Sequence, residues 1–450
     1  MQIDMNDLAV SLAAPEPVRL WNEAQRAFLA HGAATPVHLG AVLEAEPAFA
    51  LGQAAKGLFL ILLARSELMP AAALALHAAE AGEADAREAQ YVYALRAALA
   101  GRMTLAVTIL DQVLEVWPRD ALAMKVGHAL RFMLGDPRGM LASLDGIAPV
   151  WNDHPMRGYL LGCRAFALEE TARYGEAEAS GRAGLELAPD DAWGLHAVAH
   201  VHDMTGRAAE GVRWLAGRAA QWAHCNNFGF HVWWHLALFH LDRGAYGPAL
   251  QLYDRKVRPQ PTDDFRDIAN AASLLLRLEF EGVDVGERWE ELAGLAAARV
   301  DDGALVFADL HYQMALIRAG RTAEAEALAL RLARDAGELR HDQHEVAALS
   351  GAAMARGLLQ FRDGCYGLAL ASLRAGLREL QCIGGSHAQR DVFQRLTIEA
   401  ALRAGDMGAA EELLTQRRLA RGAEDGYMRR CLARIESRRE TMRAVGIAAQ

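Results

Sequence analysis

Along most of the chain, apolar residues recur at three- and four-residue spacings for several turns, give way to a short polar break, and then begin again. That period puts the apolar side chains on one face of a helix, so each stretch predicts an amphipathic helix. Val, Ile, Thr and Tyr nowhere gather in alternating runs, so no strands are expected.

The helical stretches come in pairs. One copy reads CRAFALEETARYGEAEASGRAGLELAP, and the next are HAVAHVHDMTGRAAEGVRWLA and WWHLALFHLDRGAYGPALQLYD. Later copies are YQMALIRAGRTAEAEALALRLA, ARGLLQFRDGCYGLALASLRAGL and TIEAALRAGDMGAAEELL. Within each unit a glycine marks the turn, at Gly101, Gly135, Gly175, Gly206, Gly244, Gly320, Gly364 and Gly405. The long interval from Gly244 to Gly320 predicts one further pair, at 265–277 and 286–300.

A unit of this kind cannot bury its apolar face alone, and stacking on its neighbours is compulsory. The expected fold is all-α: a right-handed superhelical solenoid of tetratricopeptide-like helix pairs, with a concave face enclosing a polar pocket. Residues 1–50 are helical without repeat spacing and read as an N-terminal cap. Residues 51–260 and 261–450 then form two stretches of repeats in one continuous solenoid, divided at RPQPTDD (258–264).

Composition adds limits. The 450 residues are 52% hydrophobic and 23% charged, with a net charge of −10, which argues against a nucleic-acid partner. Five scattered cysteines without a CxxC suggest a reducing compartment. The opening MQIDMNDLAV has no basic stretch before an apolar one, and the most apolar run, 57–64, is too short for a bilayer. A cytoplasmic protein without a membrane partner is expected. The arginine-rich C-terminal helix (Arg429, Arg430, Arg434, Arg438, Arg439, Arg443) reads as a solvated face. Sequence signatures of P-loops, dinucleotide folds, zinc peptidases and nucleophile elbows are missing.

One region stands apart. Seven of the sixteen histidines fall between Leu195 and His240: His196, His200, His202, His224, His231, His235 and His240. His196/His200 and His231/His235 are i, i+4 pairs, so each pair shares a helix face. In the repeat register they lie, with Trp234, on first helices that line the concave face. Three readings compete: histidines satisfied by ordinary packing, a metal site of His196, His200, His231 and His235, or a small-molecule pocket with an acid–base histidine. No carboxylate or cysteine is interleaved to complete a ligand set, and no cofactor is assigned. Two later segments strengthen the pocket reading. Asp309 and His311 open one first helix. Gly384-Gly385-Ser386-His387-Ala388-Gln389-Arg390-Asp391 opens another, with Ser386 as its N-cap and free N–H groups able to hold an anion.

In order, the histidine stretches, ADLHYQMALIRAGR and IGGSHAQRDVF resemble the tetratricopeptide repeat protein 38 family from about residue 40 to about residue 420. The resemblance implies the helical-repeat fold and carries over His200, His231, His235, Asp309, His311, His387, Gln389, Arg390 and Asp391 as motif positions. His202 departs from the family pattern.

The expected function is binding of a small polar or anionic ligand. His200, His231, Asp309 and His311 are the catalytic candidates. His196, His235, Trp234, His387, Gln389, Arg390 and Asp391 are the binding candidates. The alternatives are a scaffold for a protein or peptide partner and a metal-dependent enzyme using the paired histidines. A homodimer through an outer or terminal helix is the default assembly.

Overall fold

Each unit folds as two helices around its turn. Ala192–Met204 is followed by Ala208–Ala216 across Gly206, and Val306–Arg318 by Thr322–Glu338 across Gly320, both glycines at positive φ. The additional pair forms as Phe265–Phe280 and Arg288–Ala297. One turn was misplaced. Gly175 lies inside the helix Tyr174–Leu187, and Ala172 takes the left-handed position at φ 60° instead. A computed structural model describing residues 2–448 shows an all-α solenoid of tetratricopeptide-like helix pairs throughout. The expectation of no strands is corrected at the N-terminus, where Gln2–Ile3 and Ala9–Val10 form a short antiparallel pair. Two residues per strand are too few to leave an alternating pattern.

The solenoid winds far enough for its second turn to lie on its first. Ser66 donates to Asp302 at 2.5 Å, and Arg299 pairs with Glu67. The Thr104 N–H donates to Asp342 at 2.7 Å, Arg390 to Glu170 at 2.7 Å, and Arg421 to Asp203 at 2.9 Å. The partners are separated by 236, 238, 220 and 218 residues, so one superhelical turn takes an almost constant length of chain. Backbones touch at two glycines on this seam. A Cβ on Gly135 would lie 1.8 Å from the Gln381 carbonyl oxygen, and one on Gly384 would lie 2.5 Å from that of Met133.

A continuous apolar core runs from Val10 to Ile435. First helices are buried nearly all round, since they face neighbouring units on one side and the superhelix axis on the other. Ala192–Met204 is buried at every position but Asp203. The C-terminal helix, Gly426–Ala448, is not merely a solvated face: Arg430 pairs with Glu281, Arg434 with Glu399 and Arg439 with Glu411. It is a charged lid on the last repeats. Among the described residues, no helix is long and apolar enough to cross a membrane.

Candidate functional site

A cavity of about 930 Å³ lies between the two stretches of repeats and the N-terminal segment, and it opens to solvent past Pro36, Glu44 and Lys56. Both stretches of repeats reach it: Lys125, His128, His196 and His231 from the first, Phe265, Arg266, Ser386 and Gln389 from the second. The N-terminal cap closes one side with Phe28, His31 and Leu39, beside Phe59 and Leu60 of the helix Ala50–Ile61. Two strand-like contacts hold the cap there, Ala33 N–H to the His224 carbonyl at 3.0 Å and Asn226 N–H to that of His31 at 2.8 Å. The walls are more apolar than a purely polar pocket, because cap residues without repeat spacing supply much of the surface.

Lys125 is the buried lysine of this wall, which Glu44, Lys56 and Arg266 also line. It is 3% exposed and lines the cavity, and no carboxylate lies within ion-pairing distance of it among the described residues. Its neighbours are the Trp193 ring, 5.0 Å from Nζ, and the Cys163 thiol at 3.7 Å. Arg266, by contrast, is engaged by Asp264.

The two histidine pairs meet at the inner end of this cavity. Their helices, Ala192–Met204 and Phe228–Asp242, pack side by side, and the four rings stack edge to face with centroids 4.3–5.4 Å apart. His196 donates Nδ1–H to the Trp193 carbonyl at 2.8 Å, and His231 Nε2 faces His235 Nε2 at 3.1 Å. His200 is fully buried, its Nδ1 3.5 Å from the Glu169 carboxylate. Burial, then the neighbouring imidazoles, holds His196, His200 and His235 well below the usual histidine range, and burial lowers His231 to about 4. All four rings are therefore neutral near pH 7, with ring lone pairs available.

The remaining candidates separate from this cluster. His196, His231 and Gln389 line the cavity, whereas His200 and His235 lie behind it. Trp234 does not line it either: it is fully buried, stacked on His231 and under Arg277. Asp309 does not orient a histidine, because its carboxylate is held by Arg331 at 2.5 Å. Burial raises its pKa to about 6 against that pairing. His311 donates Nδ1–H to the Phe307 carbonyl at 2.7 Å and is lowered to about 4 by burial, away from the cavity wall.

The Ser386 segment forms the predicted cap, a capping box with Gln389. Its anion, however, comes from within the chain. Glu170 accepts the His387 N–H at 2.6 Å and the Arg390 guanidinium at 2.7 Å, while Arg390 also donates to the Gly385 carbonyl. Burial opposes the Glu170 charge, but His387 and Arg390 outweigh it and hold the carboxyl below its ordinary value. Asp391 is likewise taken, by Arg395 at 2.7 Å and Arg417 at 2.5 Å. The expectation of a free anion site at Arg390 and Asp391 is corrected on these grounds.

Sequence reasoning missed Lys125, Glu169 and Glu170. Lys125 left a signal, being one of three lysines in the chain and set in the apolar run ALAMKVGHAL. Glu169 and Glu170 left none, since they reach the site only through the stacking of one turn on the next.

No protein-family model matches the chain. Solved structures similar to it are helical repeats. The human IFIT1 dimer with m7Gppp-AAAA is 18% identical, covering 85% of this chain and 87% of that one at a TM-score of 0.40. The IFIT1 dimer with PPP-AAAA is 14% identical over 91% and 96%, at 0.43. Yeast Tom70 is 13% identical over 95% and 89%, at 0.36. The exclusion of a nucleic-acid partner is corrected: IFIT1, of similar fold, is solved with m7Gppp-AAAA and PPP-AAAA. A net charge of −10 describes the whole surface and excludes nothing from a cavity lined by Lys125 and Arg266. The described residues form an all-α solenoid of tetratricopeptide-like helix pairs.

Proposed function

We propose that the protein binds a small amphipathic anion in this cavity, with its apolar body against Phe28, Phe59, Leu60 and Phe132 and its anionic end on Lys125. The observation that carries this reading is the buried ammonium of Lys125, which faces the cavity without a carboxylate partner. Burying a charge unpaired is costly, and a ligand anion would remove that cost. The cavity volume also falls in the range of roughly 300–1,000 Å³ typical of small-molecule sites. His196, His231 and Gln389 supply polar contacts, and any acid–base work would fall to the two histidines rather than to Asp309 or His311.

Membership of the tetratricopeptide repeat protein 38 family fits this reading, since its three most specific segments contribute His196, His231, Ser386 and Gln389 to the wall. The free cysteines are in keeping with a reducing, cytoplasmic setting. A peptide scaffold is less well supported, because the second superhelical turn covers the trough that an extended peptide would need.

The test is a thermal-shift series with medium-chain carboxylates and alkyl phosphates. At ligand concentrations about a hundredfold above Kd, stabilisation of about 2.7 kcal/mol is expected, and Lys125→Met should cut it by about half or more. No stabilisation by any amphipathic anion, or equal stabilisation of Lys125→Met, would sink the proposal.

A further inference from the structure

The histidine cluster invites a question separate from the cavity's organic ligand. His196, His200, His231 and His235 each offer a ring nitrogen, and the four nitrogens lie within 4.8 Å of one another. A tetrahedral ion with metal–nitrogen bonds of about 2.0–2.1 Å needs donors about 3.3 Å apart. His231 Nε2 and His235 Nε2 already stand at 3.1 Å. The widest pair must close by about 1.5 Å at most, within reach of small side-chain rotations on two helices that already pack together.

The hydrogen bonding points the same way. Neither ring nitrogen of His200 and not the Nδ1 of His235 has a hydrogen-bond partner among the described residues, although both rings are buried. Buried polar groups normally find partners, so these rings are left with unused capacity. His196 is already set as a ligand: its Nδ1–H is spent on the Trp193 carbonyl, which leaves Nε2 as the lone-pair nitrogen. Behind His200 stands the Glu169 carboxylate, 3.5 Å from Nδ1, a small closure short of the carboxylate–imidazole hydrogen bond that orients ligating histidines. Glu169 is itself steadied by His387, 3.4 Å from its other oxygen.

We infer that the protein holds a late first-row divalent metal ion, zinc in the first instance, in a four-imidazole site formed by His196, His200, His231 and His235, with Glu169 orienting His200. An all-imidazole donor set suits zinc, copper, nickel or iron rather than magnesium or calcium. The neighbouring group of Glu169, Glu170 and His387 is the weaker candidate, because both Glu170 oxygens are occupied by the His387 N–H and Arg390. His196 and His231 reach the cavity wall, so the ion would form its inner end. The inference stands without the organic ligand, and its test uses none.

The experiment is zinc titration of the full-length protein, stripped with chelator, against a chromophoric competitor, with cobalt(II) as a spectroscopic probe. One zinc per chain is expected, together with a cobalt spectrum of tetrahedral, nitrogen-ligated type. His200→Ala and His235→Gln should each weaken zinc by about a hundredfold or more, Glu169→Gln by about ten- to a hundredfold, and His240→Gln should leave it unchanged. The wild-type cobalt spectrum needs no variant and keeps the inference exposed if a histidine variant fails to fold. It is overturned if the wild-type protein takes up no zinc at micromolar free metal, or if cobalt is octahedral. Zinc affinity unaltered by both His200→Ala and His235→Gln overturns it too, as does loss in His387→Ala alone, which would move the ion to the carboxylate group.

Discussion

Glu170 and Arg390, 220 residues apart in the chain, meet at 2.7 Å inside the protein, and both are almost fully buried. The pair joins the end of the helix Arg157–Glu170 to the start of His387–Ala404, on the seam between superhelical turns. Removing one partner leaves a buried charge. Arg390→Met and Glu170→Gln should therefore each lower stability, the first by about 3–5 kcal/mol, whereas the double variant should recover most of it. Chemical denaturation of the three variants checks this, and full additivity of the two single effects would show that the pair is not coupled.

Lys125→Met should separate stability from binding. The substitution removes a buried, unpaired ammonium and keeps the side-chain length, so the melting temperature of the unliganded protein should hold or rise. Affinity for an amphipathic anion should fall by about tenfold or more, the loss of one charge-assisted contact worth about 1.5–3 kcal/mol. Paired thermal melts and calorimetric titrations read the two effects separately.

Asp191 predicts a pH dependence. It is 1% exposed, and burial raises its pKa to about 7, against the opposing attraction of Lys125. Between pH 4 and 7 the folded protein therefore keeps a proton that the unfolded chain, with its ordinary carboxyl near pH 4, releases. Stability contributed by this group is present at low pH and is lost as pH rises through 7. Asp191→Asn should flatten that slope and be more stable than the parent at pH 8. Urea unfolding at pH 5.5, 6.5 and 8 measures it, and parallel profiles for the two proteins would refute the assignment.

Ala172 carries a left-handed backbone that a glycine would adopt without strain. Ala172→Gly should raise stability by about 1 kcal/mol, since the left-handed conformation costs an L-residue about 1–2 kcal/mol and the added freedom of the unfolded glycine offsets part of the gain. Denaturation midpoints suffice, and a destabilised variant would place the strain elsewhere.

Much of the fold could be read in advance because its signals are local. Apolar period, turn glycines and Ala-rich second helices all act within one unit, and the extra pair in the Gly244–Gly320 interval followed from spacing alone. Gly175 misled because a glycine early in a helix looks like one that ends the helix before it. The histidine pairs were visible for the same local reason, as i, i+4 neighbours on first helices. What pairs across the seam was not visible: Arg390 looked like a receptor for an outside anion because nothing in its own segment names Glu170. The cavity's apolar wall was hidden too, since Phe28 and Leu39 come from a cap whose docking against His224–Asn226 has no sequence signature.

Helical solenoids are usually springs, soft to stretching because each unit touches only its neighbours. Here the recurrent ties at intervals of 218–238 residues make successive coils grip each other. Such a coil has lost its softest mode of deformation. Pulled from its ends, it should resist and then yield in one step as the seam parts, where an untied stack would peel away unit by unit.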